Sequence, residues 1–175
     1  MKIVILTEEA KTVADNAHDQ ELIQYYKGQF RPVTALVEEL SEIAGTDVYI
    51  LSDKYGLCRG QKSISEVDPV GPEEDAQDEA RNALRESVPD SDCLIILLTK
   101  DAFEDVVEPI WDELVDSTRP NSIWGLGVPQ SALDRIDIES LQSKSELYLY
   151  PRTGVARLGT ETRERLLNAV RERKS

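Results

Sequence analysis

Val48-Tyr-Ile-Leu-Ser-Asp-Lys-Tyr-Gly-Leu57 is an apolar run that stops abruptly in a polar turn containing glycine. Val48 to Leu51 has the composition of a short buried strand, and Ser52 to Gly56 that of the loop after it. In open α/β sheets ligands bind in the crevice outside the carboxyl ends of the strands. The stretch therefore marks where a site would lie and nominates Ser52, Lys54, Tyr55 and Gly56. It names no reaction.

Outward from this stretch the same alternation recurs. Apolar runs at Lys2–Thr7, Asp47–Ser52, Asp92–Thr99, Ser122–Leu126 and Glu146–Tyr150 read as strands. Three are nearly continuous, as expected of strands covered on both faces. Residues 33–44 place Val33, Leu36, Val37, Leu40 and Ile43 on one helical face, with Pro32 in the first turn and Gly45 as the stop. Residues 73–87 begin Glu-Glu-Asp, which suits the positive end of a helix. A helical pattern over 101–116 contains Pro109, which should kink or divide it. Residues 131–142 and 160–173 supply two more helices. Strand and helix alternate throughout, so the expected fold is an α/β, Rossmann-like three-layer domain with a mostly parallel sheet of about five strands. Residues 1–151 form its core and 152–175 a basic C-terminal helix docked on it. The least regular segment, 53–72, reads as a long loop, and such loops are commonly functional.

Composition removes several classes of function. The 175 residues suit one domain with a substantial core. Acidic residues number 34 against 20 basic, a formal charge of −14, which excludes a generally basic nucleic-acid surface. Few lysines and many carboxylates resemble proteins adapted to molar salt, where screening over about 3 Å removes self-repulsion; a merely acidic protein is the alternative. Charge is uneven. Residues 152–175 carry seven basic and three acidic groups, a net +4, which leaves −18 on residues 1–151. That asymmetry suggests either a partner or nucleic-acid contact through 152–175, or docking of the helix on its own acidic body. His18 is the lone histidine, and Cys58 and Cys93 are the two cysteines. They are too few for a zinc site, and His18 sits far from any nucleophile motif. No metal and no cofactor is expected. No apolar run is long enough for a signal peptide or a membrane span, so a cytoplasmic location without membrane contact is expected.

Tyr26-Lys-Gly-Gln-Phe30, then a helix and a strand, then Leu51-Ser-Asp-Lys-Tyr-Gly-Leu57 resembles an uncharacterised prokaryotic domain family. That family carries Tyr-x-Ser-x-Phe followed by Leu-Ser-x-Lys-Tyr-Gly-Leu, and is distantly similar to the peroxide-stress YaaA group. The resemblance covers residues 1–70, with Glu66-Val-Asp-Pro69 in place of a final acidic-Pro element. Two positions depart from it. The family follows its first strand with Gly/Ser-Cys-Gly-Lys-Lys, where this chain has Thr7-Glu-Glu-Ala-Lys11, and its Ser is Gly28 here. If the family's basic loop binds phosphate, this chain has lost part of that capacity. The resemblance singles out Ser52, Lys54 and Tyr55.

The carboxyl edge of the sheet should gather Thr7 and Glu8 with Ser52, Lys54, Tyr55 and Gly56, and Tyr26 and Gln29 at the rim. Glu8 is the candidate base or nucleophile and Lys54 its electrostatic partner. The others are candidate ligand contacts: an aromatic ring can stack a base and Gln can read its edge. Polar strand ends that merely meet water, and apolar packing of Tyr26 on Phe30, explain the same residues without a ligand. Gly125-Leu-Gly127 is reminiscent of a phosphate loop, or marks a tight strand-to-helix turn. The expected function is a small enzyme or binding domain for a nucleotide, nucleobase or nucleic-acid substrate, with a sugar-like ligand and an N-glycosidic bond in view. The alternative is an interaction protein working through its C-terminal helix.

Overall fold

The apolar runs are strands in the computed structural model, which describes residues 1–15, 19–71, 75–151 and 157–175. His18, Arg152 and the acidic pair at 73–74 lie outside the described residues. The strands are β1 (Lys2–Glu8), β2 (Gly45–Ser52), β3 (Gly56–Arg59), β4 (Cys93–Leu97), β5 (Ile123–Val128) and β6 (Glu146–Pro151). They form one sheet in the order β3-β2-β1-β4-β5-β6. All pairings are parallel except β2–β3, where Ser52 opposes Gly56. The fold is α/β and Rossmann-like. Its parallel part has the flavodoxin-like order, with an antiparallel strand added at one edge.

β3 departs from the sequence expectation. Residues 56–59 belong to no loop: Asp53, Lys54 and Tyr55 are the tip of a tight hairpin, and Gly56 follows at φ +72°. A three-residue hairpin loop closed by a residue in left-handed conformation calls for glycine. Farther along, Ser63 and Glu66 cap each other's backbone around a short 3₁₀ turn.

The alternation of β1 splits the core. Ile3 and Ile5 face α1 (Leu22–Tyr25), α2 (Arg31–Ile43) and α8 (Thr160–Lys174), while Val4 and Leu6 face α3 (Ala76–Ser87), α4 (Lys100–Val106) and α5 (Trp111–Ser117). Both clusters are mostly aliphatic with a few aromatic rings; Trp111 and Trp124 meet edge-to-face in the second at 5.9 Å. Pro109 does divide the 101–116 pattern, with a 3₁₀ turn between α4 and α5. The expected helix over 131–142 is two: α6 (Gln130–Leu133) and α7 (Ile138–Gln142). Asp137 separates them because its carboxylate accepts the Ser140 N–H (3.2 Å) and restarts the helix as an N-cap.

α8 lies on the α2 side. Leu166, Leu167 and Val170 are fully buried there, and Arg163 pairs with Glu39 at 2.5 Å. Arg173 reaches Glu146 and the Asn121 carbonyl. Gly125 and Gly127 lie inside β5, and form no loop. A side chain at 125 would meet Leu166 Cδ1 at 2.5 Å, and one at 127 would overlap the Arg157 carbonyl. These glycines are small so that the chain entering α8 can lie directly on the sheet.

Candidate functional site

Strand order locates the crevice. The chain leaves β1 through α2 to reach β2 on one side, then returns through α3 to reach β4 on the other. Connections that run in opposite directions from adjacent strands put their helices on opposite faces, and the gap opens at the carboxyl ends of β1 and β4. A cavity of about 1210 Å³ lies at this edge, extending over the β2–β3 hairpin tip.

Glu8 and Glu9 leave β1 in succession and go to different neighbours. Glu8 turns towards β4, where its carboxylate accepts the Thr99 N–H and the Thr99 hydroxyl (3.2 Å). Glu9 turns towards β2. It accepts the Ser52 hydroxyl at 2.6 Å, the Asp53 N–H at 2.9 Å and the Tyr26 hydroxyl at 3.3 Å. Ser52 is 2 % exposed and its oxygen also accepts the N–H groups of Lys54 (3.2 Å) and Tyr55 (3.0 Å). One serine oxygen thus folds the hairpin tip and ties it to the loop after β1.

Tyr26 is 3 % exposed, yet its ring edge reaches the cavity. Burial, and then the negative charge of Glu9, push its phenol well above the ordinary tyrosine range, so it stays a donor. Its ring packs against Tyr25 (5.1 Å between centroids) and Phe30 (5.4 Å). The contact between Tyr26 and Phe30 spans a helix break, because Gly28, the first residue of the 3₁₀ turn after α1, adopts φ +61°. Cys58 lies behind the hairpin with its thiol directed at the Tyr55 carbonyl (3.3 Å), and burial raises its pKa.

Of the residues nominated from sequence, Glu8, Tyr26, Gln29, Lys54 and Tyr55 line the cavity together. Thr7, Ser52 and Gly56 lie behind its wall. Thr7 is fully buried and its hydroxyl has no hydrogen-bond partner among the described residues. The Lys54 ammonium sits 5.2 Å from the Tyr55 ring centroid. Facing Ser52 across the crevice is Glu9, where Glu8 was expected. In β1 the odd residues Ile3, Ile5 and Thr7 share one face, so Glu8 projects to the other. The phase of that alternation is the signal that could have separated the two glutamates.

The lining is mixed in chemistry. Tyrosine rings, Phe30 and Val33 form an apolar flank, and Gln77, Asp101 and Asp105 a polar one. Five carboxylates line the space against two lysines, Lys11 and Lys54. Among the described residues no group of His, Cys, Asp or Glu is arranged to hold a metal ion, and no helix is long and apolar enough to cross a membrane.

No family model matches the chain, and no curated protein matches it in sequence. Two solved structures are similar in shape. The D319A mutant of the PilB minor pilin from Streptococcus sanguinis matches 99% of this chain at TM-score 0.38 and 9% identity; this chain spans 60% of the pilin's length. An FMN-dependent NADH-azoreductase from Bacillus anthracis, in complex with FMN, matches over 99% of this chain and 98% of its own, at TM-score 0.36 and 12% identity. Similarity this slight carries no inference about ligand or reaction.

Proposed function

We propose that the protein is a small enzyme whose carboxyl-edge cavity takes a ligand with a nucleobase and a sugar, and acts at the bond between them. The observation that supports this reading is the meeting of tyrosine rings, Gln29 and the Glu8 carboxylate around one cavity at the sheet's switch point. The ring of Tyr55 offers a face on which a base stacks, the edge of Tyr26 bounds the same space, and Gln29 offers a donor and an acceptor for the base edge. Glu8, whose carboxylate accepts two donors from Thr99, is the group we assign to the reacting carbon. Cleavage of an N-glycosidic bond builds positive charge on the sugar, which a carboxylate stabilises directly or traps as a nucleophile. Lys54 at the hairpin tip offsets charge on the departing base. Ser52, Thr7 and Gly56 shape the wall, and Glu9 positions Tyr26 and the tip without touching the ligand.

The resemblance of Leu51-Ser-Asp-Lys-Tyr-Gly-Leu57 to the prokaryotic family agrees with a shared site at this hairpin. The acidic composition we read as adaptation to molar salt. The test is a panel of nucleosides and free bases, with binding followed by calorimetry and base release by chromatography. Glu8→Gln should retain the fold, shown by an unchanged melting profile, and lose turnover. Absence of binding by every nucleoside and base at millimolar concentration would refute the reading.

A further inference from the structure

The backbone donors just beyond β2, in its hairpin turn, and just beyond β4, in its turn into α4, are groups an anionic ligand could use, because N–H groups in tight turns approach phosphates closely. Here both are occupied from within. The Asp53 N–H is bound by the Glu9 carboxylate, and the Thr99 N–H by that of Glu8. The protein has put two of its own carboxylates where a phosphate would sit.

The surrounding charge points the same way. Asp101 and Asp105, both exposed, stand on the α4 side of the cavity. Of the nearby cations, Lys100 pairs with Glu104 at 3.9 Å and the Arg81 guanidinium binds the Asp105 carbonyl and the Asp78 carboxylate, which leaves Lys11 and Lys54 on the lining against five carboxylates. Lys54 lies against Tyr55, on the hairpin side.

We infer that the cavity selects against phosphate, so that its ligand class is the unphosphorylated nucleoside and the nucleotide is rejected. Glu8, Asp101 and Asp105 set this specificity by repulsion, and Glu8 and Glu9 by filling the donors. The inference rests on the function proposed above and narrows it. A like charge brought against a carboxylate in a partly enclosed site loses affinity steeply, and what is enclosed is screened by salt less than what is exposed.

The experiment is calorimetry on the full chain with the four ribonucleosides and their 5′-monophosphates, at two KCl concentrations that keep the protein folded. The expected result is a nucleoside that binds and a matching monophosphate at least about tenfold weaker, the gap narrowing at the higher salt. Asp101→Asn, an exposed change that spares the fold, should narrow the gap by strengthening the monophosphate alone. Glu8→Gln, checked for folding by its melting profile, should do so further. A monophosphate that binds the wild type as tightly as its nucleoside overturns the inference and leaves the proposed function standing. So does a ratio unmoved in both variants. If no member of any pair binds, the proposed function fails and this inference with it.

Discussion

Replacing Glu9 by alanine should loosen the hairpin tip and cost the fold measurable stability. In the native protein this carboxylate takes three donors, of which the Ser52 and Tyr26 hydroxyls belong to buried residues. The Asp53 N–H belongs to an exposed residue and finds water once released. Stranding a buried hydroxyl costs about 1–3 kcal/mol. Two offsets bring the sum down: Ser52 keeps its bonds from the Lys54 and Tyr55 N–H groups, and the Tyr26 bond, at 3.3 Å, is long. The expected loss is about 2–3 kcal/mol, or ~5–10 °C in melting temperature for a chain of this length. Glu9→Gln retains an acceptor and should lose about 1 kcal/mol. The assay is urea unfolding of the single variants and of a double-mutant cycle with Ser52→Ala, in which a coupling energy of about 1 kcal/mol or more is expected. A Glu9→Ala protein within about 0.5 kcal/mol of wild type, or strict additivity in the cycle, would refute the argument that this carboxylate holds the tip.

Thermal stability should rise from low to molar KCl as repulsion among the excess carboxylates is screened, and a melting temperature flat across that range would count against salt adaptation. Stability should fall on the alkaline side: burial holds Cys93 at about 12 against 9.0 unfolded, and Tyr26 above its unfolded 10.0. Between those limits the folded state binds more protons than the unfolded one, so each contribution is whole below the unfolded value and is lost as pH climbs towards the folded one. Tyr26→Phe should accordingly flatten the fall in stability above pH 10 by up to one proton's worth; a slope unchanged from wild type would contradict this. Gly127→Ala should destabilise by about 1–3 kcal/mol or more, because its Cβ overlaps the Arg157 carbonyl and crowds Leu97 at 2.8 Å. A neutral effect in urea unfolding would mean that the segment entering α8 yields freely.

Five of the strands were legible from their apolar runs, most plainly where a parallel strand is buried on both faces and writes itself as a nearly unbroken run, as in β1 and β4. Cys93-Leu-Ile-Ile-Leu97 has every residue buried, and no helical period competes with it. β3 was hidden because its four residues, Gly56-Leu-Cys-Arg59, alternate too briefly to register, and Asp53-Lys-Tyr55 reads equally well as open loop. The place of the site was visible at the strand ends; the division of labour there was not. Adjacent glutamates are equivalent in sequence until the facing of β1 is known, and a serine that binds its own turn looks like one that binds a ligand. The glycines of β5 misdirect for a related reason: lack of a side chain serves a close backbone approach of either kind, to an anion or to α8.

The central position of β1 also bears on how the chain comes together. Both of its edges are completed by residues far along the chain, Lys2 by Gly45 and Ile3 by Cys93. The nearer closure costs less loop entropy, and α2 packs as it forms; the farther one must wait for the hairpin and α3. Such a topology is rich in non-local contacts and folds slowly beside a helical bundle. Until β4 arrives, Ile3 to Leu6 present an apolar open edge that another chain can pair with. At low salt the acidic excess keeps half-folded chains apart by mutual repulsion. Molar salt, proposed above to favour the finished fold, removes that protection during assembly, so refolding yield should pass through a maximum at a salt concentration below the one that gives the greatest stability.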